Sequence, residues 1–143
     1  MKRRKINLGI KDRKQIDEDL NQQTLTVIKS NNYFEIGEYD KALEIIEKIM
    51  LELDAEQHIY RIKCFEYMYK IFCKKNDSKK AEETLLNAIR YLENLDYGKQ
   101  LGDFYVLTGK FYIEIGEKEL ALNYINKGLD IYKNLGIILN MQV

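Results

Sequence analysis

One five-residue pattern recurs three times along this chain, about forty residues apart, and it constrains the fold more than any other feature. Ser30, Tyr33, Gly37, Ala42 and Ile46 return at the same spacing as Tyr69, Phe72, Asn76, Ala81 and Leu85. They return again as Gly109, Tyr112, Gly116, Ala121 and Ile125. Self-similarity of this period implies stacked helical hairpins, because one helix pair cannot bury its apolar face alone. The expected fold is therefore all-α, an α-solenoid of about three hairpins. Solenoids of this kind usually serve as binding surfaces.

Apolar spacing places helices at about 16–36 and 39–53, 57–75 and 78–95, and 100–115 and 118–134. The last is the clearest: Leu120, Ala121, Tyr124, Ile125, Gly128, Leu129 and Tyr132 form one apolar stripe at the 3.6-residue period. Each pair breaks at Gly37, Asn76 or Gly116, the residue types that enter left-handed backbone most cheaply at a helix C-terminus. Acids follow in each turn (Glu38 and Asp40, Asp77, Glu117 and Glu119), suited to capping the next helix and to its dipole. Ala42, Ala81 and Ala121 then let the second helix approach the first closely. The absence of proline and the presence of only eight glycines suit long helices and not a sheet with many tight turns.

The pattern resembles the tetratricopeptide repeat, whose signature runs from a small residue to an aromatic one, then an alanine and a large apolar residue. Gly109, Tyr112, Ala121, Ile125 and Gly128 match it, as do Ser30, Tyr33, Ala42 and Ile46. The middle copy places Tyr69 at the first small position, although Phe72, Ala81, Leu85 and Ala88 fit. The family's tryptophan and terminal proline are missing, and the alanines stand 39 and 40 residues apart, against a usual period of about 34. The longer period is similar to that of bacterial peptide-sensing regulators. Only 22 residues precede the first repeat, so the effector domains of such regulators are not expected and the chain reads as a stand-alone or truncated sensor at most. The repeats are bounded at about 23–61, 62–101 and 102–135, between a basic lead-in (1–22) and an apolar tail (136–143).

In tetratricopeptide proteins the first helix of each pair lines the concave groove. By register, the resemblance implies Asn31 and Phe34 in the first repeat, Lys63, Lys70 and Lys74 in the second, and Val106 and Lys110 in the third. The centre of that surface is basic, which points to an extended peptide or partner segment with acidic character. Asn31 is suited to pairing with a peptide backbone through its amide. The same lysines also read as a solvated helix face. Other open readings are a peptide-responsive regulator and a self-assembling scaffold. The tail is largely apolar and includes Ile137, Ile138 and Leu139. It either folds back or meets another chain, because an open solenoid end leaves apolar surface wet. Self-association, as a homodimer through 118–143, is the expectation.

Catalysis has little to work with. The one histidine, His58, lies at a repeat join and reads as an ordinary linker residue. Glu82 and Glu83 are explained by the helix dipole, and no phosphate loop, nucleophile elbow or metal-spaced cysteine pair occurs. Cys64 and Cys73 lie nine residues apart on one expected helix, a rise of about 13 Å that is beyond disulfide reach. They read as small core or groove residues, with Lys63 and Lys74 the only groups able to lower a thiol pKa. Unpaired thiols suggest a reducing, cytoplasmic compartment. No enzyme, cofactor or metal site is expected. The 23 basic and 23 acidic residues balance, which argues against nucleic acid as a partner. The short basic cluster from Lys2 to Lys5 reads as a solubilising tail. The chain has no apolar run long enough for a membrane span or signal peptide. The eleven tyrosines, Tyr105, Tyr112, Tyr124 and Tyr132 among them, fall mostly at core spacing together with Phe111.

Overall fold

The computed structural model describes residues 13–137. They form six α-helices and, among the described residues, no strand: α1 (Arg13–Glu35), α2 (Tyr39–Glu52), α3 (His58–Lys74), α4 (Ser78–Glu93), α5 (Gly98–Glu114) and α6 (Lys118–Asn134). The class is all-α, and each helix anticipated from apolar spacing is present to within about three residues.

Four helices end on left-handed backbone, at Gly37 (φ 85°), Asn76 (φ 57°), Gly116 (φ 84°) and Gly136 (φ 71°). In each case the next residue donates its N–H back to a carbonyl five positions earlier. Glu38 reaches Tyr33 (2.8 Å), Asp77 reaches Phe72 (2.9 Å), Glu117 reaches Tyr112 (2.8 Å) and Ile137 reaches Tyr132 (2.9 Å). This is the Schellman closure, which satisfies carbonyls that a helix end would otherwise leave unpaired. Capping at the following helix is less regular than the acids in the turns suggested. The Asp77 carboxylate accepts from the Lys80 N–H at 3.1 Å, whereas Glu38 and Glu117 make no side-chain cap bond. Aspartate is a preferred N-cap residue and glutamate is not.

The chain divides between Asp54 and Ala55 into two compact units. In the first, α2 buries Ala42, Ile46 and Ile49, with Leu53 just beyond its end. Ser30 of α1 is buried, and its hydroxyl donates to the Ala42 carbonyl at 3.0 Å. A small polar side chain at the first motif position therefore lets the helices approach and also binds them together.

In the second unit α3, α4, α5 and α6 pack as consecutive neighbours, most intimately at α5–α6. Glycine explains that intimacy. A Cβ on Gly109 would lie 2.4 Å from Ile125 Cγ1 and 3.0 Å from the Ala121 carbonyl oxygen, and one on Gly128 would lie 2.9 Å from the Gly102 carbonyl oxygen. Tyr69 occupies the corresponding place in α3. It is half-buried and meets Phe111 of α5 edge-on at 6.3 Å, so the bulky ring is accommodated against the next hairpin. Buried hydroxyls are satisfied locally, Thr84 by the Lys80 carbonyl (2.8 Å) and Thr108 by the Phe104 carbonyl (2.7 Å).

The apolar stripe of α6 is narrower than its sequence suggested. Ala121, Gly128 and Tyr132 are buried and Tyr124 and Ile125 half-buried, but Leu120 and Leu129 are exposed. Among the described helices α6 has α5 as its main neighbour, and one neighbour covers only the centre of a broad stripe.

Candidate functional site

The positions expected to line a groove fall in both units. Asn31 and Phe34 lie on α1 and are half-buried; the Phe34 ring packs edge-on against Tyr39 at 5.6 Å. In the second unit Lys63, Lys70 and Lys74 are exposed on α3, and Lys110 is exposed on α5. Spacings of seven and four residues keep the three α3 lysines on one side of the helix, while Ile62, Phe65, Ile71 and Phe72 are buried. Lys70 Nζ stands 5.7 Å above the Tyr67 ring. Val106 is engaged otherwise than expected. It is half-buried, and its Cγ2 lies 2.7 Å from where a Gly128 Cβ would stand, so it packs against α6 in the space that glycine leaves.

Carboxylates interrupt this basic surface. Burial raises the pKa of Glu66 on α3, with Asp103 of α5 adding to the rise; Lys70, and less strongly Lys63 and Lys99, oppose it. Asp103 is itself held on both sides. Lys99 Nζ meets Oδ2 at 2.8 Å, and the Tyr132 hydroxyl of α6 donates to Oδ1. The face shared by α3 and α5 is thus mixed in charge, with an acidic centre flanked by exposed lysines.

Tyrosines bind α5 to its neighbours. Tyr105 donates to Glu93 Oε2 and Tyr112 to Glu82 Oε2, both at 2.7 Å, bridging α5 to α4. Burial, and then these bonds to carboxylates, push Tyr105 up to about 12 and raise Tyr112 and Tyr132 well above the ordinary phenol range. The Tyr124 ring stacks on Tyr112 at 5.5 Å, and Lys127 Nζ lies 5.4 Å above Tyr124. These rings are packing groups, as their spacing suggested. Nothing in the local sequence marks their carboxylate partners, which lie 12 and 30 residues away.

The two thiols are free and differ in environment. Burial pushes Cys64 up to about 11, outweighing the opposing charge of Arg61. Cys73 is exposed; burial of part of its surface raises it, a hydrogen bond with Tyr69 lowers it and Glu114 raises it again. Neither thiol is activated by Lys63 or Lys74, contrary to the one argument for reactivity. His58 is half-buried. Its Nδ1 shares a hydrogen bond with the Tyr91 hydroxyl, its ring lies 5.8 Å from Tyr91 and 5.7 Å from Tyr97, and Arg61 stands 5.8 Å over Tyr91. Among the described residues no three His, Cys, Asp or Glu side chains gather as metal ligands.

Ile137 is half-buried and its N–H is tied to Tyr132. Ile138 and Leu139, like the cluster from Lys2 to Lys5, lie outside the described residues. No described helix is long and apolar enough to cross a membrane. Searches against protein-family models, curated proteins and solved structures gave no match to this chain.

Proposed function

We propose that this chain is a non-enzymatic binding module, a right-handed solenoid of three tetratricopeptide-like hairpins that holds an acidic extended peptide or partner segment. The observation that carries the reading is the exposed row Lys63, Lys70 and Lys74 on α3, with Lys110 exposed on α5. Lysines on an open helix face are weakly coupled to one another and remain free to steer an anionic segment into place. The acidic centre at Glu66 and Asp103 lowers the net charge there, so the favoured segment places its acids over the lysines and not over the centre. To test this, peptides that copurify with the protein are identified by mass spectrometry and their affinity remeasured after Lys70→Glu with Lys110→Glu. A loss of about tenfold or more is expected; unchanged affinity removes the reading.

Self-association through the last hairpin is a second reading. It is favoured by Leu122, 60% exposed, and Leu129, 40% exposed, which lie two turns apart on α6. A sedimentation experiment decides it. The unaltered protein should associate as concentration rises, and Leu122→Glu with Leu129→Glu should be monomeric.

A further inference from the structure

A cavity of about 250 Å³ opens at the turn between α3 and α4, beside the end of α5. Its apolar lining comes from Ala81 and Phe111, both buried, and from Ile115, which is 46% exposed and keeps part of its surface open. Cys73, the exposed thiol, stands in the wall.

The charged lining is of one sign. Asp77 and Glu114 bring two carboxylates, Asn76 and Ser78 bring an amide and a hydroxyl that can each accept as well as donate, and no Lys, Arg or His lines the space. Asp77 uses Oδ1 to cap α4, and among the described residues Glu114 has no ion pair. The negative field of Glu114 reaches inward, since it raises the pKa of both Cys73 and Tyr69.

Negative charge over an apolar floor selects against anions, and a neutral alcohol can donate a single hydrogen bond there but gains no charge pairing. A cation on an apolar stem meets both parts: its methylenes lie against Ala81 and Ile115, and its N–H donors reach Glu114 and Asn76. The buried Phe111 adds to the apolar wall. We propose that this cavity is a subsite for an alkylammonium group, such as the lysine side chain of a bound segment. The subsite does not depend on the acidic-peptide reading, and small probes test it without any peptide.

The experiment titrates the full isotopically labelled chain with n-butylammonium, 1-butanol and butyrate at constant ionic strength and follows amide shifts by NMR. Butylammonium alone should produce saturable shifts, confined to residues 76–81 and 114–115. Glu114→Gln, at an exposed helix end, should weaken binding about two- to fivefold. Alkylation of Cys73 with iodoacetamide, under conditions that spare buried Cys64 and with the helical circular dichroism unchanged, should abolish it. Equal responses to butanol or butyrate, or shifts scattered over other surface carboxylates, overturn the assignment. So does affinity unchanged by Glu114→Gln or by Cys73 alkylation.

Discussion

The Tyr112 hydroxyl on α5 donates to Glu82 on α4 at 2.7 Å, joining the third hairpin to the second through a bond to a carboxylate. Tyr105 and Glu93 repeat the arrangement toward the other end of the same helix pair. Tyr112→Phe and Tyr105→Phe should each lower unfolding free energy by about 1 kcal/mol, since a carboxylate near the surface recovers part of the lost bond from water. Tyr67→Phe, at a half-buried position on α3, is the comparison and should change stability by less than about 0.5 kcal/mol. Urea denaturation measures all three.

Burial of these phenols, and then their bonds to carboxylates, makes stability fall at alkaline pH. Tyr105 holds its proton to about 12 in the folded chain, against about 10 when unfolded. Between these values the folded state binds more protons than the unfolded one, so stability present below about pH 10 is lost as pH rises toward 12. Tyr112 and Tyr132 are raised in the same direction, and Cys64, at about 11, has the same sign. Tyrosinate absorbance and helical circular dichroism, followed together, should show part of the tyrosine signal appearing only as the helices melt. The Tyr105→Phe, Tyr112→Phe double variant should show a shallower pH dependence.

Gly109 and Gly37 should respond to alanine for different reasons. At Gly109 the new methyl meets Ile125 Cγ1 at 2.4 Å and the Ala121 carbonyl oxygen at 3.0 Å, so α5 and α6 must separate at a cost of about 1–3 kcal/mol. At Gly37 nothing lies within 4 Å, and the cost is the backbone strain of an L-residue at φ 85°, about 1–2 kcal/mol. The two separate in a double-mutant cycle. Ile125→Ala should recover part of the Gly109→Ala loss, because it removes the clashing methylene, and should leave Gly37→Ala unchanged.

The thiols should titrate one at a time. Ellman's reagent should label Cys73 in the native protein, because it is exposed, and reach Cys64 only on unfolding, because it is fully buried. Rapid labelling of both thiols under native conditions would show that α3 opens far more readily than its packing implies.

Helix positions and three of the four left-handed turns were legible in the residues alone. A glycine or asparagine five residues before an alanine determines a helix end through its own backbone preference, and periodic apolar residues determine a helix through their spacing. Both are short-range effects. The α3 lysines were placed by the register of the tetratricopeptide resemblance, and they are exposed.

Side-chain partnership was not legible, because it depends on which surfaces packing brings together. Nothing near Tyr112 names Glu82 as its acceptor, and nothing near Asp103 announces that Tyr132 shares it with Lys99, its neighbour one turn earlier on α5. Val106 reads as an open apolar position until Gly128 of α6 leaves room for its methyl. Leu129 reads as core until α6 is seen to have α5 as its main neighbour. The threefold motif specifies where helices form and which small residues permit close approach. Packing settles which carboxylates are bound to tyrosines, which apolar side chains stay wet and where a cavity opens, since each depends on groups distant in the chain meeting at a few ångströms.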